Sequence, residues 1–209
     1  NLETETKNHQ SRILSLFKKD VIAHLKTTYE IEDKHIFARN GNRFFSLELF
    51  YPTFYPQSNA LRPHLLIEFT VTDLVLPILQ LPASSFINAL SGRQGEIEQI
   101  SCVNPVEIAA DKLSALIWRI PARKRGQDND DPDIVRHLHD LSKLYDLVIQ
   151  HKDFKRLSLA AITMDDSRSK IINGLSVREK FKIVSDILRQ DMQYPKEYDR
   201  FVKGMSYAS

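Results

Sequence analysis

Val106-Glu107-Ile108-Ala109-Ala110-Asp111-Lys112-Leu113-Ser114-Ala115-Leu116-Ile117-Trp118-Arg119, followed after a polar insertion by Arg136-His137-Leu138-His139-Asp140-Leu141, decides the reading of this chain. Asn104 is an N-cap candidate and Pro105 suits the first helical position, so the first block opens a helix. A helix advances about 100° per residue, which places Lys112 and Arg119 on one face. Ala109, Leu113, Leu116 and Ile117 form an apolar stripe with Lys112 at its border. On the next helix Ile134, Leu138, Leu141, Tyr145 and Val148 make an apolar row, and Arg136, Asp140, Leu144 and Leu147 a second row beside it. His139, Ser142, Lys143 and Asp146 make the solvated row, which leaves Asp140 as a carboxylate among leucines. Two readings are open: an ion pair that holds two helices together, or a charged cluster that receives a phosphate-bearing substrate.

Upstream of residue 104 the periodicity differs. Ile13, Leu14, Leu16, Phe17, Val21, Ile22 and Leu25 recur at helical spacing after a polar, frayed stretch at residues 1–10. Short alternating runs follow at residues 35–39, 44–50 and 65–72, separated by Asn40-Gly41-Asn42 and by a proline-bearing segment at 52–63. Asn-Gly between alternating runs signals a hairpin. A short helix is expected at 83–90 and a strand at 97–103. Beyond 104 nearly everything reads as helix, with segments at 153–161, 168–172, 177–190 and 196–205, and Ser176 three residues before Glu179 offers a capping box. The fold class is therefore α+β: a small mixed or antiparallel sheet with a flanking helix (residues 1–104), then a helical C-terminal lobe (residues 105–209).

Composition narrows the function classes. The 209 residues are 42% hydrophobic and 27% charged with a net charge of +2, enough for a real core and too mildly basic to identify a nucleic-acid binder. A DNA-binding or antitoxin-like helical protein is disfavoured because no single helix concentrates the positive charge. The lone Cys102 excludes an internal disulfide framework and a cysteine-rich zinc site, and suits a reducing cytoplasm. No run of about 20 apolar residues indicates membrane insertion. None of the six glycines belongs to a G-x-x-x-x-G-K loop. Ser114 lacks a nucleophile-elbow context, and neither His137 nor His139 has a zinc-like partner at i+4, so hydrolase chemistry is unsupported. The segment from Pro121 to Pro132 reads as a mobile loop whose Arg123, Lys124 and Arg125 either contact phosphates or are simply solvated.

Strand 65–72 places Leu66, Glu68 and Thr70 on one face. Glu68 there either joins oxygen ligands around a divalent cation or faces solvent on an edge strand.

These blocks, in this order, resemble the AbiEii/AbiGii-type nucleotidyltransferase toxins of abortive-infection and toxin–antitoxin systems. The likeness runs from about residue 42 to 147 and rests on Ile67-Glu68-Phe69 with Asp73 and Pro77, on the block ending at Arg119, and on the 136–141 block. The last two are similar to the family signatures E-I-x-A-[ED]-K-[LIF]-x-A-L-x-x-R and R-[DH]-x-x-D-[LI]. The resemblance implies Lys112, Asp140 and Glu68 as catalytic residues, Glu68 as a metal ligand, and Lys112, Arg119 and Arg136 as phosphate-binding residues. It implies Mg²⁺ or Mn²⁺ as cofactor and transfer of an NMP from an NTP to an RNA, tRNA among the candidates, or to a protein hydroxyl. A cognate antitoxin is the implied partner. Leu66 stands where the family's strand motif carries lysine. The family's first motif, a Gly-Ser or Gly-Gly turn followed by Asp-x-Asp, does not occur in the 209 residues; its absence fits a polypeptide shortened at the N-terminus or read from just after that motif. The alternative is a catalytically inactive module that keeps this scaffold to bind a nucleotide or a partner protein.

Overall fold

A computed structural model describes residues 2–39, 43–52, 64–127 and 130–205. They divide into two compact units, residues 1–73 and 74–209, so the strand-to-helix change at 104 falls inside the second.

The first unit has one long helix, α1 (Leu2–Leu25), and three antiparallel strands, β1 (Ile36–Arg39), β2 (Phe44–Phe50) and β3 (His64–Thr70), in the order β1-β2-β3. The helix begins well before the expected position: residues 1–10 lack apolar periodicity, but their Glu, Lys and Gln are good helix formers. Alternation along β2 turns Phe45, Leu47 and Leu49 into the core, where Leu14, Val21, Ile22 and Leu25 of α1 cover them. Phe45 stacks on its cross-strand partner Phe69 with ring centroids 4.5 Å apart, and Phe17 meets both rings edge-on. Ile13 and Leu16, expected on the apolar face of α1, are exposed. Arg39 pairs with Phe44, as a tight hairpin requires. The Asn40-Gly41-Asn42 turn itself, and most of the 52–63 segment, lie outside the described residues.

In the second unit β4 (Leu79–Ala83) and β5 (Ile97–Cys102) form a two-stranded antiparallel sheet around α2 (Phe86–Leu90). Strand β4 goes beyond the helix at 83–90 and the strand at 97–103 that the pattern leads one to expect. Pro82 fits at a register shift between Leu81 and Ala83, where a proline costs no ladder bond.

The helices α3 (Pro105–Ala122), α4 (Arg136–Val148), α5 (Phe154–Met164), α6 (Val177–Gln190) and α7 (Gln193–Met205) complete the unit. Asn104 caps α3 by accepting from the Val106 amide at 3.0 Å, with Pro105 next to it. Helix α3 buries much more than its expected stripe: Val106, Ala109, Ala110, Ser114, Leu116, Ile117 and Ile120 are all inside. It is the hub on which α4, α5 and α6 pack, through Leu116, Ile117 and Ile120 against Ile134, Val135, Ile162, Ile172 and Val184. The Ser176 and Glu179 capping box starts α6 as expected. The helix expected at 168–172 is instead a 3₁₀ turn, Asp166–Arg168, and a loop. Asp166 closes that loop by accepting from the Gly174 amide and pairing with the buried Lys180, and Gly174 takes the left-handed φ of 77° that the closure needs.

Candidate functional site

Lys112 and Asp140 meet. The Lys112 Nζ donates to Asp140 Oδ2 at 2.7 Å, tying α3 to α4, with the two side chains 25% and 37% exposed. The pair thus sits at a protein surface opening onto water, where neither charge is fully desolvated. Two turns along α3, Arg119 donates to Asp131 Oδ2 at 2.8 Å. Arg136 is exposed at the first position of α4.

His137 follows Arg136 on α4 and precedes Asp140 by three residues. Burial, together with the positive charges of Lys112, Arg136 and Arg119, pushes its imidazole down to about 4, against a smaller opposite pull from Asp140. The ring is therefore neutral at pH 7, and its Nδ1 is buried with no hydrogen-bond partner. The sequence reading set His137 aside for want of a zinc-like partner. Its position next to Arg136 and three residues before Asp140 is the signal that could have placed it in the cluster.

The neighbouring charges of α3 serve packing. The Glu107 carboxylate accepts from the Val75 amide at 3.1 Å and from the Leu76 amide, fastening the chain that leads to β4. Ser114, fully buried, donates to Asp165 at 2.8 Å across the contact between α3 and α5. Partial burial and the negative charges of Asp165 and Glu107 raise the Asp111 carboxyl above its ordinary value.

In the basic run after α3, Arg123 is tied into a buried network, Arg125 is exposed but paired, and Lys124 is exposed. Arg123 makes a bidentate pair with Glu197 of α7, at 2.7 and 2.8 Å, and donates to Asp130 at 2.7 Å. Arg125 donates to the same Glu197 at 3.0 Å and to Asp191, and both guanidiniums lie over the Tyr194 ring. Burial disfavours the Arg123 charge, but its hydrogen bonds to Glu197 and Asp130 outweigh that and raise its affinity for the proton. His139 also departs from the expected solvated row: it faces Tyr198 and Phe201 of α7, with its Nδ1 3.3 Å from the Tyr198 hydroxyl. Tyr145 and Leu147, expected in the inward rows, are exposed. Of the aspartates in the insertion, Asp128 and the side chain of Asp133 lie outside the description.

Glu68 belongs to the first unit. It is exposed on β3 opposite Ser46, and with Ser46, Glu48, Leu66 and Arg39 it lines a depression of about 400 Å³ on the sheet face away from α1. Glu48 there is held by His35 Nδ1 at 2.9 Å. Among the described residues no three His, Cys, Asp or Glu side chains converge on one point; Mg²⁺ held by one or two carboxylates and the phosphates of a substrate needs no such cluster. Nor is any helix among the described residues long and apolar enough to cross a membrane.

No curated protein and no solved structure matches the chain. A family model does, over residues 4–209: nucleotidyl transferase AbiEii toxin, type IV toxin–antitoxin system. The match runs through both units and through the lysine and aspartate blocks that form the Lys112 and Asp140 pair, and the chain belongs to the AbiEii nucleotidyl transferase toxin family.

Proposed function

We propose that this chain moves an NMP from an NTP to a hydroxyl of an RNA, with tRNA the first acceptor to try and a protein hydroxyl the second. The observation that carries the reading is the partly hydrated Lys112 and Asp140 pair at 2.7 Å, with Arg119, Arg136 and a neutral His137 grouped around it. Lys112 supplies a point charge for the triphosphate, and Arg119 and Arg136 supply guanidiniums that match phosphate oxygens. Asp140 fixes the Lys112 ammonium in direction. The acceptor hydroxyl loses its proton to solvent as its oxygen bonds to the α-phosphorus, the bond from that phosphorus to the bridging oxygen breaks, and pyrophosphate leaves with the electron pair. Cations preset against that growing charge accelerate transfer, because they need no reorganisation as it develops.

A cognate antitoxin protein is the partner this reading implies, and the cytoplasm its place. The test is to incubate the protein with each α-labelled NTP, total RNA and Mg²⁺, with and without chelator. Label in RNA, lost with Lys112→Ala, is expected, and Glu68→Gln is to be compared in the same assay, where loss is also expected. Nucleotide binding without label in either RNA or protein would instead mark an inactive binding module.

A further inference from the structure

Trp118 occupies an unspecified position of the helix signature and has no part in the reading above. It lines a cavity of about 350 Å³ at the end of α3, together with Arg119, Lys124, Gln127, Asp131 and Ile134. Volume of that order suits one small ligand. The walls are of three chemical kinds: the indole and Ile134 offer an apolar, π-rich surface, Gln127 and Asp131 offer hydrogen-bonding edges, and Arg119 and Lys124 offer positive charge. Aromatic and amide side chains next to cations are what a nucleobase with an attached phosphate requires, since the base stacks while its edge is read and the phosphate is paired. The Arg119 guanidinium lies 5.7 Å from the centre of the indole ring and donates to Asp131, so one residue links the stacking surface and the hydrogen-bonding edge. The same Arg119 is seven residues from Lys112, about 10 Å along the helix, a span comparable to that between the base and the outer phosphates of an extended nucleoside triphosphate.

We propose that the Trp118 cavity is a nucleobase site, filled by the base of a nucleoside phosphate whose charge is met by Arg119 and Lys124. It rests on the reading of Arg119 as a phosphate ligand. The base comes either from the donor NTP or from the end of the acceptor RNA.

Trp118 is the sole tryptophan beside seven tyrosines, so fluorescence excited at the red edge, where tyrosine does not absorb, reports on the indole that lines this cavity, which also packs on the core and lies 5.5 Å from the Arg168 guanidinium. The full chain is titrated separately with each of the four NTPs, with a short single-stranded RNA, and with inorganic tripolyphosphate, so that donor and acceptor are never present together and no transfer occurs. Saturable quenching by at least one NTP assigns the donor's base to the cavity, and quenching by the RNA alone assigns the acceptor's. In either case Lys124→Ala should weaken binding roughly tenfold, the worth of one charge-assisted hydrogen bond, and Gln127→Ala should weaken it in a way that differs between bases. Because Trp118 also packs on the core, these two rim variants replace its own removal. Tripolyphosphate quenching as strongly as every nucleotide, or no response to any probe at millimolar concentration, overturns the proposal. Transfer activity without quenching sinks the cavity and spares the catalytic reading; quenching without transfer does the reverse.

Discussion

Helix α3 and the loop that follows it present two cationic groups that look alike in the sequence and are used differently. Lys112 pairs with Asp140, the two side chains 25% and 37% exposed. Arg123 is 6% exposed, is held by Glu197 through two bonds and by Asp130 through a third, and shares Glu197 with Arg125. A redundant network with a dry centre at Arg123 and Glu197, and a wetter edge at Arg125 and Asp191, holds α7 to the loop that follows α3. A single, partly wet pair contributes little to stability and leaves an ammonium that an incoming phosphate can recruit. Redundancy and burial, more than the residue types, separate the fastening from the candidate site.

Breaking each side of this contrast should move a different quantity. Lys112→Ala is expected to lower nucleotide transfer by about a hundredfold or more, while urea unfolding shifts by less than about 1 kcal/mol, because water screens so open a pair. Glu197→Ala should act the other way. It leaves Arg123 buried without its main counter-charge and should cost about 3–5 kcal/mol of unfolding free energy, with specific activity per folded molecule preserved.

Acid should reach the same network more gently. Burial alone would raise the Glu197 carboxyl, but Arg123 and Arg125 hold it below its ordinary value of 4.5; Asp130, through Arg123, and Asp191, through the Gln193 amide and Arg125, are held low as well. Groups whose folded pKa is depressed contribute stability that is complete above the unfolded value and lost as pH falls through the folded one. The melting temperature should therefore hold steady from pH 7 to about 5.5 and drop below about 4.5, with a shallower drop in Glu197→Gln. The smallest effect is local. Asn104→Ala removes the cap of α3 and should cost about 1 kcal/mol in a thermal melt, with Asn104→Asp neutral.

Much of this architecture was legible in the chain. The alternation of Phe45, Leu47 and Leu49, the Asn104-Pro105 start of α3 and the Ser176 box of α6 are local signals whose physics does not depend on distant residues. The meeting of Lys112 with Asp140 followed from their places at the edges of two apolar rows. What escaped was set by tertiary contact. Arg123 and Arg125 read as loop charge because their partners, Glu197 and Asp191, lie more than sixty residues away. His139 read as solvated because α7 was not known to cover it. The lowered pKa of His137 is not a local signal either, since it comes first from burial and then from the charges of Lys112 and Arg119 on another helix as well as its neighbour Arg136. The 168–172 segment failed as a helix because Asp166, Lys180 and Gly174 close it as a loop.

Exchanging the two charges separates fastening from function at the pair on which the reading depends. Lys112→Asp, Asp140→Lys and the double variant are compared for unfolding free energy and for label transfer from NTP. Each single variant should lose transfer, and the double should restore the pair and its small stability contribution while transfer stays lost, because the ammonium then stands on the wrong helix for the phosphate. Recovery of transfer along with stability, or transfer unchanged in all three, would make the pair a helix fastening and contradict the proposal.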